Sequence, residues 1–357
     1  MVTNILAAIL VLGLLIFVHE LGHFLAAKWV GVGVLKFSLG FGPALISRRV
    51  GDTDYCLSAI PLGGFVKMVG QEDDGSDPDP KTVDQDNSFA VKPSWAKAVI
   101  VSAGPVFNFL FAWLLYTILF ATGVPVLTSQ IGDVKEDMPA AAAGIEKGDA
   151  IVAVNGQAID RWEDLSNGIK AGEGAPVSLK VLHDGVERTM EVTPKQIEGS
   201  SIFGEPIPTW VIGVGPAGKI ITERSNPIVA IGQGFMRTVE FVRLTVVSIV
   251  KLFQRVVPAS SLGGPIMIMK IAGDQANEGI QALIAFMAIL SINLGVINLL
   301  PIPILDGGHL LFLGIEKVVG HPIQLRTREI ATQVGMFLLI SLMGFALYND
   351  IHRLVVG

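Results

Sequence analysis

Residues 5–27 read ILAAILVLGLLIFVHELGHFLAA, apolar or glycine throughout except for His19, Glu20 and His23. As an α-helix this run reaches about 35 Å, enough to cross the hydrocarbon of a bilayer. No Lys or Arg precedes it, and it is longer than the apolar part of a secretory leader, so it reads as a membrane span. Three further apolar runs lie outward from it: Ala98 to Leu127 with Gly104-Pro105 and Asn108 near its start, Ala282 to Leu300, and Ala331 to Leu347. The fold class is therefore a polytopic α-helical membrane protein with four transmembrane helices. The composition agrees, because 51% of the 357 residues are hydrophobic and only 16% are charged, against about 25% charged in soluble domains. Cys56 is the single cysteine, which excludes a disulfide framework and a Cys-rich zinc module. A net charge of −6 with no basic run excludes nucleic acid as a partner.

Between the second and third spans the composition turns water-soluble, from Thr128 to Ser200. Seven basic and thirteen acidic residues there account for the whole net charge. Alternation at 150–154 runs into Asn155-Gly156, a two-residue hairpin signal, so the insert reads as β-rich. Asn226 to Val257 then reads as one long helix. Arg237, Glu240, Arg243, Ser248, Lys251 and Arg255 recur on it at helical spacing, which suits a helix lying in the membrane interface. Eight Lys and Arg between Lys28 and Lys97, and Lys317, Arg326 and Arg328 after the third span, make those loops cytoplasmic and the insert extracytoplasmic. The acidic stretch Gly70 to Ser88 reads as a solvated, partly disordered connection. The expected parts are residues 1–127 as the first membrane part, 128–200 as the insert, 201–265 as linker and interfacial helix, and 266–357 as the second membrane part.

The chemistry is concentrated in His19-Glu20-Leu21-Gly22-His23. Two histidines four apart share one helix face and can hold a single Zn²⁺, and the glutamate beside them can act as a general base toward water. Ionisable groups inside a span are costly and functional by default. A third protein ligand must come from similar depth. The third span ends in Asn298-Leu-Leu-Pro-Ile-Pro-Ile-Leu-Asp306-Gly-Gly-His309, where two prolines break the helix and the broken backbone can line a cavity. Asp306 is one candidate, since a cation resolves the cost of its carboxylate there. His309 is the rival. Parity adds a constraint: only with the Asn226–Val257 helix lying in the interface do His19, His23 and Asp306 meet near one membrane face.

Other motifs carry less. Gly213-Val-Gly-Pro-Ala-Gly218 matches G-x-G-x-x-G but contains a proline and opens no helix of a βαβ unit. No G-x-S-x-G supports a serine nucleophile. Cys56 reads as a packed thiol, and His183, His321 and His352 lack ligand spacing.

These residues together resemble the bacterial site-2 proteases, intramembrane zinc metalloproteases of the type that cleaves anti-sigma factors. The resemblance runs over essentially the whole chain: HELGH at 19–23, GGFVKM at 63–68, Gly104-Pro105 with Asn108, Gly263-Gly264-Pro265, and the N-x-x-P-x-P-x-x-D-G-G run at 298–308. The run Pro139 to Asp149, continuing to Val154-Asn155-Gly156, resembles a PDZ domain. The resemblance implies one Zn²⁺ held by His19, His23 and Asp306, with Glu20 as the catalytic glutamate. It also implies that Asn293 and Asn298 hold the substrate backbone, and that Phe37 to Met68, within the loop 30–97, is a membrane-reentrant β segment whose edge receives the unwound substrate. One PDZ domain fits in the insert where the best-known members carry two. The expected function is hydrolysis of peptide bonds within or beside the transmembrane segment of single-pass membrane proteins already trimmed outside the membrane, such as anti-sigma factors or signal-peptide remnants. The expected location is the bacterial inner membrane. The rivals are a zinc or proton transporter, which has no need of Glu20 between two ligands, and a PDZ-bearing scaffold with a vestigial metal site.

Overall fold

The structure, a computed structural model, describes residues 2–71 and 86–356. Most of the acidic connection expected at 70–88 lies outside the described residues. The chain forms two compact units: Phe120–Asn226 with Lys251–Val257, and the remaining described residues.

The larger unit begins with α1 (Val2–Trp29), an unbroken run of 28 residues. Gly31, at φ +73°, turns the chain out of the helix into β1 (Val34–Val50) and β2 (Thr53–Met68). Both strands bend. Residues Lys36 to Leu39 pair on one side with Asp54 to Leu57 and on the other with Gly64 to Lys67, while Ser47 pairs with Cys56. The sheet therefore has four rows in the order 44–50, 53–58, 36–39 and 64–68. Gly40 and Gly42, at φ +90° and +87°, make the bend inside β1.

The second long helix, α2 (Ser94–Thr122), stops short of the expected end at Leu127. Gly123 takes φ +115°, and β3 (Val124–Leu127) follows it. What continues the apolar run is thus a strand, held by antiparallel pairing with Ile220–Glu223.

That pairing also moves the insert's boundary. The smaller unit contains β3, β4 (Ile131–Val134), α3 (Pro139–Ala142), β5 (Ala150–Val154), β6 (Gln157–Ala158), α4 (Trp162–Ala171), β7 (Val177–His183), β8 (Val186–Val192), β9 (Lys195–Ser200), β10 (Pro206–Val211), β11 (Val214–Pro216) and β12 (Ile220–Glu223). Four strands form a sheet in the order β6-β5-β7-β8, β9 pairs with β10, β11 with β4, and β12 with β3. Residues 201–226, expected to be linker, therefore complete this unit, because their strand partners lie some 80 to 100 residues earlier. Asn155 and Gly156, both at positive φ, make the expected hairpin between β5 and β6. The core is closed by Ile131, Ile151, Leu165, Leu179, Val181 and Ile212. Nδ1 of His183 lies 2.6 Å from the buried Asp149 carboxylate, which raises the histidine's pKa. His183 thus has a partner that its spacing did not suggest.

The remaining elements are α5 (Pro227–Phe253), α6 (Pro265–Glu278), α7 (Ile280–Asn298), α8 (Asp306–Val319) and α9 (Leu325–Val356). Four helices are long and apolar enough to cross a membrane: Thr3–Trp29, Ser94–Thr122, Ile280–Asn298 and Leu325–Val355. They match the expected spans in number and order. The third ends two residues early, at Asn298, and the fourth begins before Ala331 and runs beyond Leu347. Helix α5 is not among them. Its buried residues, Ala230, Gly234 and Thr238, lie four apart on one face. Around that face Gly234 packs on Thr117, and Phe241 stacks on Tyr116 with ring centroids 5.7 Å apart. Helix α6 lies along α1, where Ala272 packs with Ala7 and Ala8.

Candidate metal centre

The i, i+4 spacing sets His19 and His23 one above the other on α1, with ring centroids 4.8 Å apart and planes at 86°. Their Nε2 atoms are 3.3 Å apart. Helix α2 closes on this face through two glycines. A Cβ on Gly22 would collide with the carbonyl of Ala103, and a Cβ on Gly104 would collide with both imidazoles. The room for two rings between the helices exists because neither position carries a side chain.

Asp306 arrives from the other half of the chain. After α7 the backbone turns sharply through Pro301 and Pro303, and Leu305 N–H donates to the carbonyl of Ile302. The first turn of α8 packs back on that turn. Any Cβ on Gly307 would strike the carbonyls of Leu299 and Leu300, and one on Gly308 the carbonyl of Ile302. The two glycines after Asp306 thus let its carboxylate reach α1. Oδ2 of Asp306 lies 3.3 Å from Nε2 of His19, and Oδ1 lies 3.6 Å from Nε2 of His23.

A tetrahedral zinc with bonds of about 2.0–2.1 Å separates its ligands by about 3.3 Å. The spacings of 3.3, 3.3 and 3.6 Å fit that requirement. Oδ2 of Asp306 is buried and, among the described residues, faces only the His19 imidazole at 3.3 Å, an expensive state for a carboxylate that a cation relieves. Among the described residues His19, His23 and Asp306 form the one such cluster, and His309 is not in it.

The other expected residues divide. Asn298 points its Nδ2 to within 3.4 Å of Nε2 of His19. Asn293, five residues earlier, is turned toward α5, where the Thr245 hydroxyl donates to its Oδ1 at 2.8 Å. Glu20 lies against the sheet, close enough that a Cβ on Gly64 would sit 3.0 Å from its Cγ. Residues around the histidines carry contacts that their sequence positions alone did not reveal. His23 Nδ1 is 2.8 Å from the carbonyl of Ile100. Asn108 is fully buried and its Nδ2 lies 3.0 Å from Nδ1 of His19. An asparagine four residues after Gly104 in an apolar helix was the available signal.

Comparison with known families is decisive at this point: residues 7–342 match Peptidase family M50. The chain belongs to peptidase family M50, the site-2 proteases. This M50 peptidase is a zinc metalloprotease and a multi-pass membrane protein. A relative from Agrobacterium fabrum, named as a zinc metalloprotease, is 35% identical across 97% of this chain and 95% of its own length. One from Campylobacter jejuni, named likewise, is 37% identical across 98% of this chain and 94% of its own. A third, from Vibrio cholerae and again so named, is 30% identical over an alignment of 451 residues covering 98% of this chain and 99% of its own. The Vibrio relative is thus the longer protein, since this M50 peptidase has 357 residues.

Proposed function

We propose that this zinc metalloprotease cuts peptide bonds within or beside the transmembrane segments of other membrane proteins, with His19, His23 and Asp306 holding the zinc. The observation that carries the reading is the meeting of three ligand atoms, two from α1, which is apolar enough to span a bilayer, and one from the first turn of α8. Zinc bound there supplies Lewis acidity toward water and the scissile carbonyl. Glu20 takes the proton of the attacking water as its oxygen bonds to the carbonyl carbon, then gives the proton to the amide nitrogen as the C–N bond breaks. Asn298, within reach of the same histidine, holds the substrate backbone. Asn293 joins it once its bond to Thr245 is exchanged.

A helical substrate keeps its carbonyls in its own hydrogen bonds and has to unwind before attack. The row 64–68 is an edge of the sheet and meets Glu20 at Gly64, so a substrate strand added there arrives beside the general base. The smaller unit acts as an extracytoplasmic PDZ domain that admits single-pass substrates already trimmed outside the inner membrane, anti-sigma factors among them. Helix α5 lies in the membrane interface, and the metal centre sits toward the cytoplasmic side.

The test uses protein purified in detergent with a single-span substrate, with and without chelator. Glu20→Gln is expected to lose cleavage by about 10²–10⁴-fold while retaining its zinc. Full activity in Glu20→Gln, or cleavage that survives chelation, would sink the mechanism. Zinc flux into sealed vesicles carrying the protein, without cleavage, would make it a carrier.

A further inference from the structure

Both imidazoles present Nε2 to the cluster, so a metal bound through those atoms leaves the proton of each ring on Nδ1. For His23 the acceptor is in place, the carbonyl of Ile100 at 2.8 Å. For His19 the atom facing Nδ1 is the side-chain amide of Asn108, at 3.0 Å. The amide offers its nitrogen, while Oδ1 is buried with no hydrogen-bond partner among the described residues. That orientation suits the other tautomer of His19, with the proton on Nε2 facing Asp306. Turning the amide about its last bond puts Oδ1 where Nδ1–H can donate to it.

We propose that Asn108 is a positioning residue for the metal, whose amide accepts from Nδ1 of His19 when Nε2 is a ligand and donates to it when the metal leaves. Two features support this beyond the distance. Asn108 is at 0% exposure, so water cannot replace its amide as the acceptor. Its backbone is pinned, because the Ser291 hydroxyl of α7 donates to its carbonyl at 2.8 Å, and the same α7 carries Asn298 toward His19. An outer partner of this kind fixes the ring's tautomer and orientation and raises the basicity of the ligating nitrogen.

The inference rests on His19 holding the zinc, as proposed above, and its test separates the two. Zinc retention against a graded chelator is measured on full-length protein in detergent, for the wild type and for Asn108→Leu, Asn108→Asp, Ser291→Ala and His19→Ala. Asn108→Leu keeps the volume and removes the acceptor, and is expected to weaken zinc retention about 10- to 100-fold. Asn108→Asp keeps an acceptor and is expected to stay within about threefold of wild type, because a carboxylate also accepts from Nδ1–H. Ser291→Ala removes the bond to the Asn108 carbonyl but leaves the amide, and is expected to weaken zinc retention by less than Asn108→Leu does. Wild-type retention in Asn108→Leu overturns the proposal, as does equal loss in the Leu and Asp variants or an equal loss in Ser291→Ala. Zinc retained by His19→Ala would overturn the ligand set itself. Zinc lost in His19→Ala but kept in Asn108→Leu would overturn only the role of Asn108.

Discussion

The Cα of Gly104 faces both imidazoles of the His19, His23 and Asp306 cluster. A methyl group at this position would collide with Nε2 of His23 and with the ring of His19. Gly104→Ala is therefore expected to lose zinc and activity together, with a stability cost of about 1–3 kcal/mol from overpacking. Gly13 lies in α1, and beyond its own helix backbone none of the described residues comes within 4 Å of where a Cβ would stand. Gly13→Ala is expected to keep wild-type zinc and cleavage. Metal content and thermal melting of the two variants side by side check the argument, and equal zinc in both would refute it. The contrast shows how the same substitution in two apolar helices differs by what the added carbon meets.

Helix α6 owes its start to a residue in the last turns of the chain. Gly264 and Pro265 open the helix without a capping side chain of their own. The carboxylate of Asp350 on α9 accepts from the N–H groups of Gly264, Ile266 and Met267 at 2.8, 3.0 and 3.0 Å. Three donors that a helix start leaves unpaired are thereby satisfied from another helix. Asn349 Nδ2 donates to the carbonyl of Ala259 in the same region, and Arg353 donates to the carbonyl of Ser260. Because α6 also packs along α1, this clamp connects the fourth span to the first. Asp350→Leu is expected to destabilise the larger unit by about 1–2 kcal/mol, the size of a lost cap. Amide exchange in detergent should accelerate at Gly264, Ile266 and Met267. Unchanged protection at those amides would contradict the clamp.

Across the whole molecule the candidate metal centre brings residue 19 to residue 306, while the smaller unit holds its own core around Ile151, Leu179 and Ile212. Zinc bound only by the folded state stabilises it by about 2.7 kcal/mol at a hundredfold excess over Kd. Heating in detergent should therefore show a transition that chelator lowers, from the helical unit, and one that chelator leaves in place, from the β-rich unit. Calorimetry with and without chelator reads this directly. A single transition, or two that shift together, would show that zinc stabilises both units as one.

The four apolar helices, the hairpin at Asn155-Gly156 and the histidine pair with Glu20 were all legible in the order of residues. Each is a local property: run length, turn chemistry, and the 3.6-residue period that puts positions four apart on one face. The third ligand stayed open between Asp306 and His309 until resemblance to a family favoured Asp306, because spacing alone says nothing of which way a broken helix folds back. Packing settles that direction through Gly307 and Gly308, whose missing side chains let α8 close on the turn that precedes it. Long-range pairing likewise ends the second long helix at Thr122 and carries the insert through residue 226, since strands β3 and β12 find each other only across a long stretch of chain. Asn108, Thr245 and Asp350 belong to the same class. A buried amide, hydroxyl or carboxylate announces that it needs a partner, but which partner it finds depends on which helices close together, and that is set by packing between residues far apart in the chain.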